Sequence, residues 1–227
     1  MNGKFKPCLK ILPPAQQRLW PELKAATDLG FVLYGGTAIA LRLGHRPSVD
    51  FDFFSEKRLH RDAIYTALPF MAQATVLQDS PNVVSVLVPY GDSEHSHVKV
   101  SFFGMIDGGR VGEPDMTEDG ILQVASLDDL MATKVKVILQ RAESKDYRDI
   151  AEMIKAGVSL AKGLAAAREI FGLHFQPSES LKAMVYFNDG DLGTLNKDER
   201  HTLIKAVSMV RELPIVTLHS RQLAIST

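Results

Sequence analysis

The stretch YGGTAIALRLGHRPSVDFDFFS, residues 34–55, constrains the fold more than any other part of the chain. FVLY at 31–34 reads as a short apolar strand, and Gly35-Gly36 turns the chain out of it. TAIALRLG then continues as a short helix until GHRPS ends it, because Pro47 disfavours helical geometry at Arg46. VDFDFFS alternates with a period of two, so Asp50, Asp52 and Phe54 share one face of a strand and Phe51 and Phe53 the other. A strand, a glycine turn, a helix and a second strand follow one another without spare residues, which predicts a compact αβ core.

The flanking sequence extends that core. Pro13-Pro14 starts a helical stretch that Pro21 kinks or divides, and a helix is expected from about residue 58 to 70. ATVLQDS, NVVSVLVPY and SHVKVSFFG read as strands, with tight turns at Ser80–Asn82 and in GDSEHS at 91–96. RVGEP and GILQVA read as short strands or extended connections. At Ser126 the pattern changes: SLDDL has a capping serine with acidic residues in the first turn. MATKVKVILQRA continues that helix, and SKDYRDIAEMIKAG prolongs it or starts another. Helical patterns persist to a less regular tail. The expected organisation is an α+β core over 1–125 and a helical domain over 126–227 that closes a shared cleft.

Bulk properties exclude several classes. A chain of 227 residues with 45% hydrophobic and 23% charged residues is that of a globular protein, not of a disordered or fibrous one. A formal net charge of −1 argues against a broad electrostatic grip on nucleic acid, though not against a local basic pocket. The single cysteine, Cys8, excludes a disulfide framework and a multi-cysteine zinc site. Placed in a flexible amino terminus, it makes a poor nucleophile. The basic start MNGKFKPCLK lacks the apolar stretch of a signal peptide, and no window reaches the ~18 apolar residues of a spanning helix. A soluble cytoplasmic protein is expected.

The chemistry is concentrated in the aspartates. Carboxylates held side by side on one strand face repel each other unless a cation compensates them. A hard divalent ion such as magnesium takes oxygen ligands and bridges to substrate phosphates, and two such ions can stabilise both oxygens of an in-line displacement. Asp50 and Asp52 are therefore candidate metal ligands. Gly35 and Gly36 let backbone approach a phosphate at a helix start, and Thr37 either donates its hydroxyl to phosphate or caps the helix.

Farther on, Lys134, Arg141 and Lys145 are spaced by seven and four, one stripe on a continuous helix that could clamp triphosphate oxygens. Asp146 and Asp149 form a second acidic pair that orients those bases, binds a ribose or only solvates a surface. His45 and Arg46 either touch substrate or pair with Asp50 or a nearby carbonyl. His95 and His97 face one way, but lack a partner set for zinc.

GGTAIALRLGHR, SVDFDFFS, DDLMATKVKVILQR and KDYRD, in this order, resemble the AbiEii-type nucleotidyltransferases, a branch of the polymerase-beta-like superfamily that includes toxins of toxin–antitoxin and phage-defence systems. The resemblance covers roughly residues 30–150. It implies a mixed sheet with flanking helices followed by a helical domain, and transfer of a nucleoside monophosphate from a nucleoside triphosphate to an RNA or protein acceptor. It implies that Asp50 and Asp52 hold Mg2+, that Gly36 and Thr37 hold phosphate, and that Lys134 and Asp146 complete the catalytic set. Gly35, Arg46, Arg141 and Lys145 join the substrate contacts. A toxin of this kind implies a partner antitoxin. One departure stands out: superfamily members often carry a third carboxylate on a later strand, and in HVKVSFFG that position is Ser101, with Lys99 on the same face. Asp107 or Glu94 is the available substitute from a loop. The chain is thus an active transferase with an altered base, or a nucleotide-binding relative that has lost transfer.

Overall fold

The computed structural model describes residues 3–90 and 97–225, and it divides into two compact units. The first comprises Met1–Gly109, Glu113–Ala125 and Arg221–Thr227; the second comprises Arg110–Gly112 and Ser126–Ser220. Glu94, His95 and the GDSEHS turn lie outside the described residues.

The first unit is built on an eight-stranded mixed sheet. In chain order its elements are β1 (Lys4–Phe5), α1 (Pro14–Leu19), α2 (Lys24–Asp28), β2 (Val32–Tyr34), α3 (Gly35–Leu43), β3 (Asp50–Phe54) and α4 (Arg61–Ala67). β4 (Thr75–Ser80), β5 (Val83–Pro89), β6 (His97–Phe103), β7 (Asp115–Thr117) and β8 (Gln123–Val124) follow. The strand order is β1-β7-β8-β2-β3-β6-β5-β4. β3 lies antiparallel to β2 and parallel to β6, near the middle of the sheet.

Register at that centre is fixed by burial. Phe51, Phe53, Val100 and Phe102 are fully buried, and Phe53 stacks on Phe102 with ring centroids 5.4 Å apart. Each such side chain gains about 1.5–3 kcal/mol on leaving water. A one-residue slip would exchange the phenylalanines for Asp50 and Asp52, so the aromatic face holds the acidic face outward. Pro21 divides the amino-terminal helical stretch as expected, with a 3-10 turn at Trp20–Leu23 between α1 and α2. Gly44 ends α3 in the left-handed conformation, at φ 68°.

One expectation fails at the sheet edge. The amino terminus is tied down: β1 pairs in parallel with β7, and Cys8 donates its backbone N–H to Leu41 at 2.8 Å. RVGEP is a connection, one of the two forms expected of it, and β7 is the next segment, DMT, which pairs with both β1 and β8. These strands hold two or three residues each, too few to display a period.

The second unit contains α5 (Leu127–Val137), α6 (Ser144–Lys155), α7 (Leu160–Phe171), α8 (Pro177–Met184) and α9 (Lys197–Met209). Ser126 caps α5 by accepting from the Asp129 N–H at 3.1 Å. Gly163 lets α7 approach α5 closely, since a Cβ there would lie 2.2 Å from Met131 Cγ. α5 and α6 are separate helices, so Lys134, Arg141 and Lys145 do not share a continuous stripe. Asp191 fixes the break by accepting from both the backbone N–H and the hydroxyl of Ser144, at 2.6 and 2.7 Å. Those bonds satisfy groups that a longer helix would have satisfied itself.

Candidate active site

On β3, Asp50 and Asp52 lie on the partly exposed face, and their neighbours on β6 are defined by the parallel register: Asp50 opposite Lys99 and Asp52 opposite Ser101. Tyr34, the last residue of β2, lies opposite Asp52 and stacks its ring on Phe54 at 4.9 Å. Gly35 follows at φ 76°, and a Cβ there would stand 2.8 Å from Asp52 Oδ2. The missing side chain is what lets a carboxylate rest against the first turn of α3, where free N–H groups and the helix dipole favour negative charge.

Thr37 and Ser48 brace this arrangement from beneath. The Thr37 hydroxyl donates to the Asp50 carbonyl and lies 2.7 Å from Ser48 Oγ, which must then be the donor of that pair. Both residues are buried. Thr37 therefore neither caps α3, whose cap is Tyr34 without a side-chain bond, nor keeps a hydroxyl proton for a ligand. Its observed work is to hold the backbone of Asp50 against α3. Ser48 was not among the residues singled out from the sequence; a serine two before the first aspartate was the available signal. Arg46 is exposed at its guanidinium and donates to the Pro47 carbonyl at 3.0 Å.

At the position opposite Asp52, Ser101 is buried and accepts from Ser85 Oγ at 2.9 Å. β5 pairs antiparallel with β6 and sets Ser85 directly beside Ser101. Among the described residues, no three His, Cys, Asp or Glu side chains are grouped so as to hold a metal ion.

The second unit brings Lys134, Asp146, Asp149 and Arg141 together. Lys134 Nζ lies 2.5 Å from Asp146 Oδ1 and 2.7 Å from Asp149 Oδ2, and both carboxylates are fully buried. Arg141 Nε donates to the other oxygen of Asp146 at 2.9 Å while its side chain stays half exposed. Burial pushes the Asp146 carboxyl up, but Lys134 and Arg141 together hold it below the usual carboxylate range. Lys145 is half exposed and pairs with Glu143 at 2.8 Å. Asp129 is the buried carboxylate that the sequence suggested only as part of a cap. It accepts from the N–H groups of Val111 and Gly112 at 2.7 and 3.1 Å and from the Ser126 hydroxyl. Burial raises its pKa despite those bonds.

The chain matches the AbiEii nucleotidyl transferase toxin family of type IV toxin–antitoxin systems over residues 19–210. It belongs to that family. An uncharacterized protein of Aquifex aeolicus (strain VF5) is 28% identical to this AbiEii member over 161 residues, 70% of this chain and 74% of the relative. Among solved structures, a protein from H. pylori provisionally named a nucleotidyltransferase shares the fold with a TM-score of 0.56 and 18% identity, covering 86% of this chain and 92% of that one. MenT4, a nucleotidyltransferase toxin of Mycobacterium tuberculosis H37Rv, shares it with a TM-score of 0.50 and 12% identity, covering 87% and 92%. The AbiEii chain is therefore an α+β protein of the nucleotidyltransferase fold. The matched span includes both Asp50-Asp52 and Lys134-Asp146.

Proposed function

We propose that this AbiEii-family chain transfers a nucleoside monophosphate from a nucleoside triphosphate to an RNA or protein hydroxyl, using Mg2+, and acts as the toxin beside an antitoxin. The observation that carries this reading is the seating of Asp52 against Gly35, next to Asp50 and at the start of α3. A Cβ-free turn beside paired carboxylates fits a magnesium–phosphate ligand. Such an ion is commonly bound through one or two carboxylates plus substrate oxygens, so Asp50 and Asp52 would hold it. When bound it neutralises charge on the phosphates and polarises the reacting phosphorus.

The chain's own residues do the rest. Backbone N–H groups at Gly35, Gly36 and Thr37 face phosphate oxygens, as helix starts do. Thr37 and Ser48 fix the height of Asp50 over α3. In the same reading Lys134 and Asp146 are catalytic, and Arg141, Lys145 and Arg46 bind substrate. The acceptor hydroxyl forms its bond to the α-phosphorus as the bond to the β-phosphate oxygen breaks. Pyrophosphate leaves, and the hydroxyl proton passes to water. Alignment and charge stabilisation supply the rate. No helix among the described residues is long and apolar enough to cross a membrane.

The test is incubation with Mg2+ and each α-labelled nucleoside triphosphate, with and without total RNA, reading pyrophosphate and label on macromolecules. Label transfer that disappears in Asp50→Asn/Asp52→Asn is expected. Triphosphate binding without pyrophosphate release would replace this reading with a binding-only protein, for which Ser101 in place of a third carboxylate is the structural reason.

A further inference from the structure

We propose that this site takes one divalent ion per nucleotide, and that Lys99 supplies the second positive charge at the phosphates; the inference rests on the nucleotide-transfer reading above. Two divalent ions held by two carboxylates alone would be short of protein ligands and of negative charge, which a third carboxylate would supply. The position directly across from Asp52 is Ser101, whose oxygen is buried and bonded to Ser85. Serine is neutral at this pH and a weak ligand beside carboxylates. No alternative group of three acidic or histidine ligands exists among the described residues.

Lys99 occupies the neighbouring position. The parallel register sets it across from Asp50, on the adjacent strand about 4.8 Å away in the backbone. Strand alternation puts Lys99, Ser101, Asp50 and Asp52 on one face. Lys99 is partly exposed, and neither its ammonium nor the Asp50 carboxylate bonds to another described residue. An ammonium on this face repels an additional divalent cation and attracts phosphate oxygens. Lysine serves such contacts as a point charge with a long, adjustable stem. The two departures belong together: the strand that lacks the acid carries the cation two residues earlier.

The experiment is a Mn2+ titration followed by electron paramagnetic resonance, with each α,β-methylene nucleoside triphosphate held below the protein concentration. One tightly bound ion per bound nucleotide is expected for the natural chain. Nucleotide affinity, measured by calorimetry without metal, should fall about tenfold in Lys99→Gln and stay near the natural value in Lys99→Arg. Ser101→Asp/Lys99→Gln should bind two ions. Two ions in the natural chain would overturn the proposal and leave the transfer reading intact. Unchanged affinity in Lys99→Gln, with circular dichroism confirming the fold, would also overturn it. Absence of any nucleotide-dependent ion binding would instead remove the transfer reading, and this inference with it.

Discussion

The two acidic pairs of this protein are alike in sequence and opposite in environment. Asp50 and Asp52 lie two apart on the partly exposed face of a strand, and Asp50 has no cationic partner among the described residues. Asp146 and Asp149 lie three apart on a helix, fully buried, with the Lys134 ammonium between them. Of the first pair, Asp50 keeps its charge available to a ligand. The second has its charge compensated inside the fold, so its removal should be felt by the fold first. An acidic pair in a sequence therefore says nothing of its role until the source of its counter-charge is known.

The largest effect should come from breaking the enclosed pair. Lys134→Met removes the cation that the two buried carboxylates share, leaving Asp146 with Arg141, and should cost about 3–5 kcal/mol of stability, read as a lowered urea midpoint. Asp50→Asn/Asp52→Asn should change stability by less than about 1 kcal/mol, since it relieves like-charge repulsion on an exposed face, while transfer falls by at least about 100-fold. Equal destabilisation by the two variants would end the contrast.

Acid titration sharpens the same point. Asp146 has a folded pKa below its unfolded value, so its contribution to stability is complete above about pH 4 and is lost as pH falls through the folded pKa. Asp146→Asn should flatten the acid limb of stability against pH. Asp129 has a raised folded pKa, so its contribution has the opposite sign: present below about pH 4 and lost as pH rises through the folded value. Asp129→Asn should steepen the net rise in stability between pH 3 and 6. Denaturant midpoints over that range distinguish the two.

Gly35→Ala probes the strand pair. The φ of 76° costs an alanine about 1–2 kcal/mol, and the new Cβ would press on Asp52 Oδ2. Thermal unfolding should register the first effect. A fall of about tenfold or more in Mn2+ affinity, with triphosphate present, should register the second. Loss of stability with unchanged metal affinity would mean that the close approach of Gly35 to Asp52 serves only the fold.

How much of this was legible follows from the range of each interaction. The face shared by Asp50 and Asp52 is a local matter of period two, and the Ser126 cap is read from four consecutive residues. The alignment of Ser101 with Asp52 required only two strand patterns and the family resemblance. The break between α5 and α6 was not legible, because Asp191, 47 residues beyond Ser144, satisfies the start of the second helix. β1 and β7 are too short to show a pattern and are held by strand pairing, β1 on β7 and β7 on both β1 and β8. The support of Asp50 by Thr37 and Ser48 joins residues eleven and thirteen positions apart, through a turn whose geometry no periodicity encodes.

That support gives an effect of similar size. Thr37→Val removes a buried hydroxyl and leaves Ser48 and the Asp50 carbonyl each short of a partner, at a cost of about 1–3 kcal/mol. Thr37→Ser keeps the donor and should recover most of the loss. If Thr37 served phosphate directly, Thr37→Val would weaken triphosphate binding while leaving the unfolding midpoint unchanged.

The smallest expected effect returns to the helical pair from its exposed side. Lys145 is half in solvent and its pairing with Glu143 is a surface contact, worth about 0–1 kcal/mol and weakened by salt. Lys145→Ala should therefore leave the urea midpoint within experimental scatter. If Lys145 holds triphosphate in the working enzyme, the same variant should raise the KM for nucleotide with little change in kcat, because a contact made equally in ground and transition states acts on binding alone. A lysine needed only for its surface pair would leave both unchanged. One substitution thus distinguishes a solvated ion pair from a substrate contact, without the loss of stability that obscures Lys134→Met.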